Sequence, residues 1–113
     1  MHELGIAINI IRIVEGEMAS RGIDSPVERV SVRIGKMRAV IPASLKFHFD
    51  VAKRDNEKLK HASLDIEDIR VKASCSGCNR EFEISEPFFA CEECGGAVRI
   101  VEGEEMIVES IAV

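Results

Sequence analysis

A chain of 113 residues, 46% hydrophobic and 31% charged, has room for one compact domain plus a small appendage. It holds no apolar run near the roughly 18 residues of a membrane span, and its start lacks the basic flank and cleavage site of a signal peptide, so a cytoplasmic location without a membrane role is expected. Fifteen Lys and Arg against twenty Asp and Glu give a net charge of -5, which with no Trp or Tyr argues against a nucleic-acid partner and favours a basic or neutral one.

From Leu4 to Ser20, the apolar residues Leu4, Ala7, Ile8, Ile11, Val14 and Met18 recur at steps of three and four, with Ile6, Ile10 and Ile13 widening the stripe. This spacing predicts a helix buried on a broad face, with Gly22 as its carboxyl-terminal cap. Its β-branched residues and Gly5 oppose helix formation, but the length of the segment carries it. Pro26 breaks the chain. Val30, Val32 and Ile34 then alternate with Arg29, Ser31 and Arg33, the pattern of a strand with one buried face, which Gly35 ends.

Pro42 suits the first turn of a second helix, in which Leu45, His48, Phe49 and Ala52 share a face and Lys46 and Asp50 point away. The tract RDNEKLKH reads as a solvated connection. Leu64 to Val71 reads as one strand whose phase slips between Ile66 and Ile69, the mark of a bulge, and Met106 to Val113 as another. Together these give an α+β fold: two helices on a small three-stranded sheet, with an inserted zinc-ribbon-like lobe. The expected boundaries are 1–72 and 104–113 for the α+β domain and 73–103 for the lobe.

The lobe carries all four cysteines as Cys75-x2-Cys78, twelve intervening residues, and Cys91-x2-Cys94. Each short loop folds two sulfurs onto one ion, and a hairpin between them brings the pairs together, with Gly77 and Gly95 supplying the tight turns. Thiolates are soft, and a closed four-sulfur set leaves no opening for catalysis, so a structural zinc is expected. A lobe whose larger apolar groups are Phe82, Ile84, Phe88 and Phe89 cannot bury enough surface to fold alone, and metal binding supplies that energy. A redox dithiol needs one such pair and not two, and an iron site of the rubredoxin type lacks its aromatic packing here.

The opening MHEL poses a different question. The terminal amine, the deprotonated backbone nitrogen of His2 and the His2 ring nitrogen can close chelate rings on one cation, a planar nitrogen set that suits Ni(II) or Cu(II). The plain alternative is a frayed helix start in which Glu3 complements the helix dipole. His48, on the apolar face of the second helix, reads as a packing residue and His61 as a solvent-exposed one.

MHEL, the segment VSVRIGKMRAVIPASLKFHFD, the cysteine lobe and the short final strand together resemble the HypA/HybF family of hydrogenase nickel incorporation proteins over essentially the whole chain. The resemblance implies a non-enzymatic nickel metallochaperone that holds transported Ni(2+) at Met1, His2 and Glu3 and structural Zn(2+) at Cys75, Cys78, Cys91 and Cys94. It also implies delivery to the hydrogenase large subunit with a nickel-maturation GTPase, and urease maturation proteins as further partners. The chain has no phosphate-binding loop of its own, so nucleotide chemistry falls to the partner. The competing readings are a zinc-ribbon adaptor, a nucleic-acid-binding module and a rubredoxin-like electron carrier.

Overall fold

Nineteen residues, His2–Ser20, form α1 in the computed structural model, which describes residues 2–84, 91 and 93–113, His2 by its backbone alone. Its buried row is Glu3, Ala7, Ile10, Ile11, Val14 and Met18. The face is narrower than the sequence suggests: Leu4, Ile8 and Ile13 are 37–38% exposed, because the row through Glu3 and Ile10 turns them to the flank. The helix ends as expected. The Gly22 amide donates to the Ala19 carbonyl and the Ile23 amide to the Met18 carbonyl, with Gly22 at φ +64°, a paired closure that satisfies the last carbonyls.

β1 spans Arg29–Gly35 with Val30, Val32 and Ile34 buried, followed by a single 3-10 turn at Lys36–Arg38. α2 spans Pro42–Ala52, with Pro42 in its first turn. It packs against α1 and buries Leu45 and Phe49, while His48 is half-buried. Beyond α2, Lys53 lies over the Phe49 ring, pairs with Asp50 at 3.2 Å and donates to the Ala62 carbonyl, anchoring the charged tract to the helix end. That tract is not wholly solvated, since Leu59 within it is fully buried.

β2 spans Ser63–Ile69 and β3 Val71–Cys75. The single strand expected over Leu64 to Val71 is thus two, and they belong to different sheets, ordered β2-β1-β6 and β4-β3-β5, where β4 is Glu81–Ile84, β5 Val98–Glu102 and β6 Met106–Ala112. The phase slip after Ile66 marks this change of sheet: Ile69, Val71, Ala73 and Cys75 are all buried, two residues apart, in the new phase. The irregularity in the ladder falls later, between Lys72 and Ala73 where β3 pairs with β5. β1 and β2 run parallel, as the pairs Arg29–Asp65 and Arg33–Glu67 show, and α2 makes the crossover that parallel strands require.

Two compact units result, Met1–Arg33 with Val40–Glu67 and Ile107–Val113, and Ile34–Ala39 with Asp68–Met106. The first holds both helices; in the second, β3 pairs antiparallel with β4, placing Ala73 opposite Phe82 and Val71 opposite Ile84. No helix among the described residues is long and apolar enough to cross a membrane.

Within the second unit two backbones meet too closely for any side chain. A Cβ on Gly35 would stand 1.9 Å from the Gly103 oxygen, and one on Gly103 (φ +108°) would stand 2.7 Å from the Val71 Cα. Gly35→Ala therefore forces backbone apart and is expected to cost about 3 kcal/mol, read as a lowered midpoint in thermal or urea unfolding. Gly16→Ala is the matched control: inside α1, with open space where its Cβ would go, it should stabilise by about 0.5–1 kcal/mol. Equal effects at both positions would contradict the close-approach argument.

Candidate metal centre

The two cysteine pairs are built alike. Cys75 closes β3, its amide accepted by the Arg80 carbonyl at 2.9 Å, and its own carbonyl accepts the Asn79 amide at 2.9 Å. Cys91 repeats both bonds, donating to the Gly96 carbonyl at 3.0 Å and accepting from the Gly95 amide at 2.8 Å. The residue four positions after the first cysteine of each pair is left-handed, Asn79 at φ +58° and Gly95 at φ +69°. Asn tolerates that region better than other side chains, so the first turn rests on Asn79 and not on Gly77, as the sequence had suggested. Gly77 serves instead by donating its amide to the Cys75 sulfur at 3.3 Å.

These twin loops bring Cys75, Cys78, Cys91 and Cys94 together, with all four sulfurs within 4.8 Å of one another. Cys75 and Cys94 stand 3.4 Å apart and Cys78 and Cys91 3.8 Å. A disulfide needs about 2.05 Å, so none is formed. A tetrahedron of sulfurs 2.3 Å from a zinc ion has edges of about 3.8 Å, and the cluster fits that size. Cys75 and Cys91 are buried and Cys78 and Cys94 exposed, so the cage has an inner and an outer pair.

The four sulfurs are close enough to shift one another's protonation. The Cys78 backbone amide draws the Cys75 thiol down to about 6, despite its burial, with help from the Cys94 side chain and the Gly77 amide. For Cys94 the Gly96 amide favours the thiolate, but the sulfurs of Cys75 and Cys91, joined by burial and Cys78, outweigh it and push the thiol up to about 12. Cys78 is raised as well: the Arg80 amide lowers it, but the Cys75 sulfur, burial and the Cys91 sulfur prevail. Cys75 is easily held as a thiolate while Cys78 and Cys94 resist ionising beside it, and a dication would offset that repulsion.

At the other candidate site, Met1 and the His2 side chain lie outside the described residues. Glu3, the second residue of α1, is only 8% exposed, so the helix start is packed there and not frayed. His48 has the packing role expected of it, its Nδ1 2.8 Å from the Ser44 carbonyl and its ring edge-on to Phe47. His61 is exposed. Phe88 and Phe89, two of the apolar groups counted for the lobe, fall outside the described residues. Sequence reasoning missed the special position of Asn79, whose signal was its place four residues after Cys75, matching Gly95 after Cys91.

A family model described as hydrogenase/urease nickel incorporation, metallochaperone, hypA matches residues 1–113. The chain belongs to the HypA family. It is 44% identical over 113 residues to the hydrogenase maturation factor HypA of Desulfosudis oleivorans, covering 98% of this chain and 96% of that protein. To the HypA of Desulfatibacillum aliphaticivorans it is 39% identical over 114 residues, covering 100% and 87% respectively. The solution structure of the Ni metallochaperone HypA from Helicobacter pylori superposes with a TM-score of 0.71 at 28% identity, over 98% of this chain and 96% of that one. HypA proteins are maturation factors and metallochaperones by family; this chain shares the fold of the solved HypA structure and carries a four-cysteine cluster.

Proposed function

We propose that this HypA protein is a non-enzymatic carrier that takes up Ni(II) at Met1, His2 and Glu3 and delivers it during maturation of nickel-iron hydrogenase. The match of the family model from residue 1 to residue 113 carries the reading, because it takes in the MHE terminus and the cysteine lobe at once. Zinc, when bound by Cys75, Cys78, Cys91 and Cys94, closes the lobe's fold; the four residues fit it in number, softness and spacing. With four protein sulfurs it keeps no open position for substrate, so the exchangeable cargo belongs at the terminus.

The nickel-binding part is 1–72 with 104–113 and the zinc lobe 73–103, acting in the cytoplasm. The recipient is the hydrogenase large subunit, reached with a nickel-maturation GTPase that supplies the nucleotide chemistry, and urease maturation proteins are further partners. Amine, amide and imidazole nitrogens prefer the planar field of Ni(II), while zinc gains little from it, so the two ions sort by ligand chemistry. Titrating the purified, zinc-loaded protein with Ni(II) in a calorimeter should reveal one additional site. No additional site would favour a zinc-ribbon adaptor instead.

A further inference from the structure

β6 lies at the edge of its sheet, in the order β2-β1-β6, so its side away from β1 has no strand partner among the described residues. Edge strands usually carry charges, prolines or bulges that discourage another chain from pairing with them. The opposite edge, β2, is protected in this way, with Asp65, Glu67 and Asp68 within seven residues. β6 reads MIVESIA, with neither Lys nor Pro and Glu109 as its single charge.

A cavity of about 390 Å³ adjoins this strand, its apolar lining including Ile13, Met18 and Ile23 from α1 and the segment after it, with Val108 and Ile111 from β6. Arg21 and Glu17 at its rim pair with each other at 3.0 Å, which neutralises the basic group there. Glu109, also at the rim and exposed, has no ion pair among the described residues. Ile107, 44% exposed, adds apolar surface along the same strand.

We propose that the open edge of β6 and its groove accept an added strand from a partner protein, an extended apolar segment with a basic residue opposite Glu109. Unpaired backbone groups ask for a strand, and the groove gives alternate side chains a place to bury. The charge follows from Glu109, which has no ion pair among the described residues of a chain of net charge -5, since opposite charges directly across a strand pair attract and like charges repel. A second copy paired in the register centred on Glu109 would set two carboxylates face to face, so self-pairing is disfavoured there.

The probe is a pair of seven-residue peptides of alternating valine and threonine, one with lysine and one with glutamate at the centre, titrated into the full-length protein. Amide NMR should show shifts and slowed exchange along Met106–Ala112, with the lysine peptide binding roughly fivefold more tightly. Glu109→Lys should reverse the order of the two peptides. Equal binding of both peptides, no change along β6, or protection of β6 that rises with protein concentration alone, as a second copy would give, overturns the proposal. None of these readings uses residues 1–3, so the outcome is separate from nickel binding.

Discussion

Replacing Cys75 or Cys91 by serine is expected to strip zinc and unfold the cysteine lobe while the helical unit keeps its packing. These are the two buried sulfurs, 1% and 3% exposed, and a hydroxyl neither ionises readily nor matches a soft ion. The loss should exceed the roughly 10–100-fold in metal affinity that follows removal of a mere hydrogen-bonding partner of a ligand. What remains of the lobe is small. Beside Cys75, only Val71 and Ala73 of its sheet are buried, and Phe82 and Ile84 are half-buried on β4, so without the ion the second sheet has too little apolar burial to offset chain entropy. The other unit buries Ile10, Leu45 and Phe49 completely, each contributing about 1.5–3 kcal/mol. In amide NMR spectra of the mutant, dispersion should persist at Val30, Val32 and Phe49 and vanish at Ala73 and Ser74, with zinc content falling in elemental analysis. Collapse everywhere would show one cooperative unit and contradict the expectation.

The same physics explains which parts of the fold could be read in advance. β1 and α2 were legible because each buries one face on an ordinary hydrophobic core: Val30, Val32 and Ile34 alternate, and Leu45 and Phe49 sit one turn apart behind Pro42. The second sheet was harder to read because its strands are short, four or five residues each, and two of them flank cysteine loops; the alternation in β4 and β5 brings its apolar side chains only to half-burial. Spacing alone revealed the cysteines. It could not reveal that the left-handed turn falls on Asn79, since the eye goes to the nearer Gly77, nor that Gly35 and Gly103, 68 positions apart by subtraction of their numbers, are small because they touch. Leu59 was hidden for the opposite reason, a single apolar residue in a charged tract whose burial depends on tertiary contacts.

Adding one or two residues before Met1 is expected to abolish the high-affinity Ni(II) site and leave zinc content and fold intact. The extension turns the terminal amine into an amide and removes a donor from the proposed chelate, leaving the His2 ring as an ordinary imidazole. Breaking such a linked set of donors forfeits roughly 10²–10⁴-fold in affinity, the gain that linkage normally provides. His2→Ala removes a different donor and should reach a similar end. Unfolding is a poor rival explanation for the extension. α1 starts at His2, where a positively charged amine opposes the helix dipole, so neutralising that amine favours the helix slightly. The burial of Glu3 sharpens the choice of variants, because Glu3→Ala would empty a packed position as well as delete a carboxylate, and a lost nickel site could not then be assigned to ligation. The extension and His2→Ala avoid that ambiguity. Calorimetry with Ni(II) on the protein starting at Met1 and on the extended one, with thermal unfolding and zinc analysis of both, decides the matter: equal nickel affinity would make MHEL a helix start and nothing more.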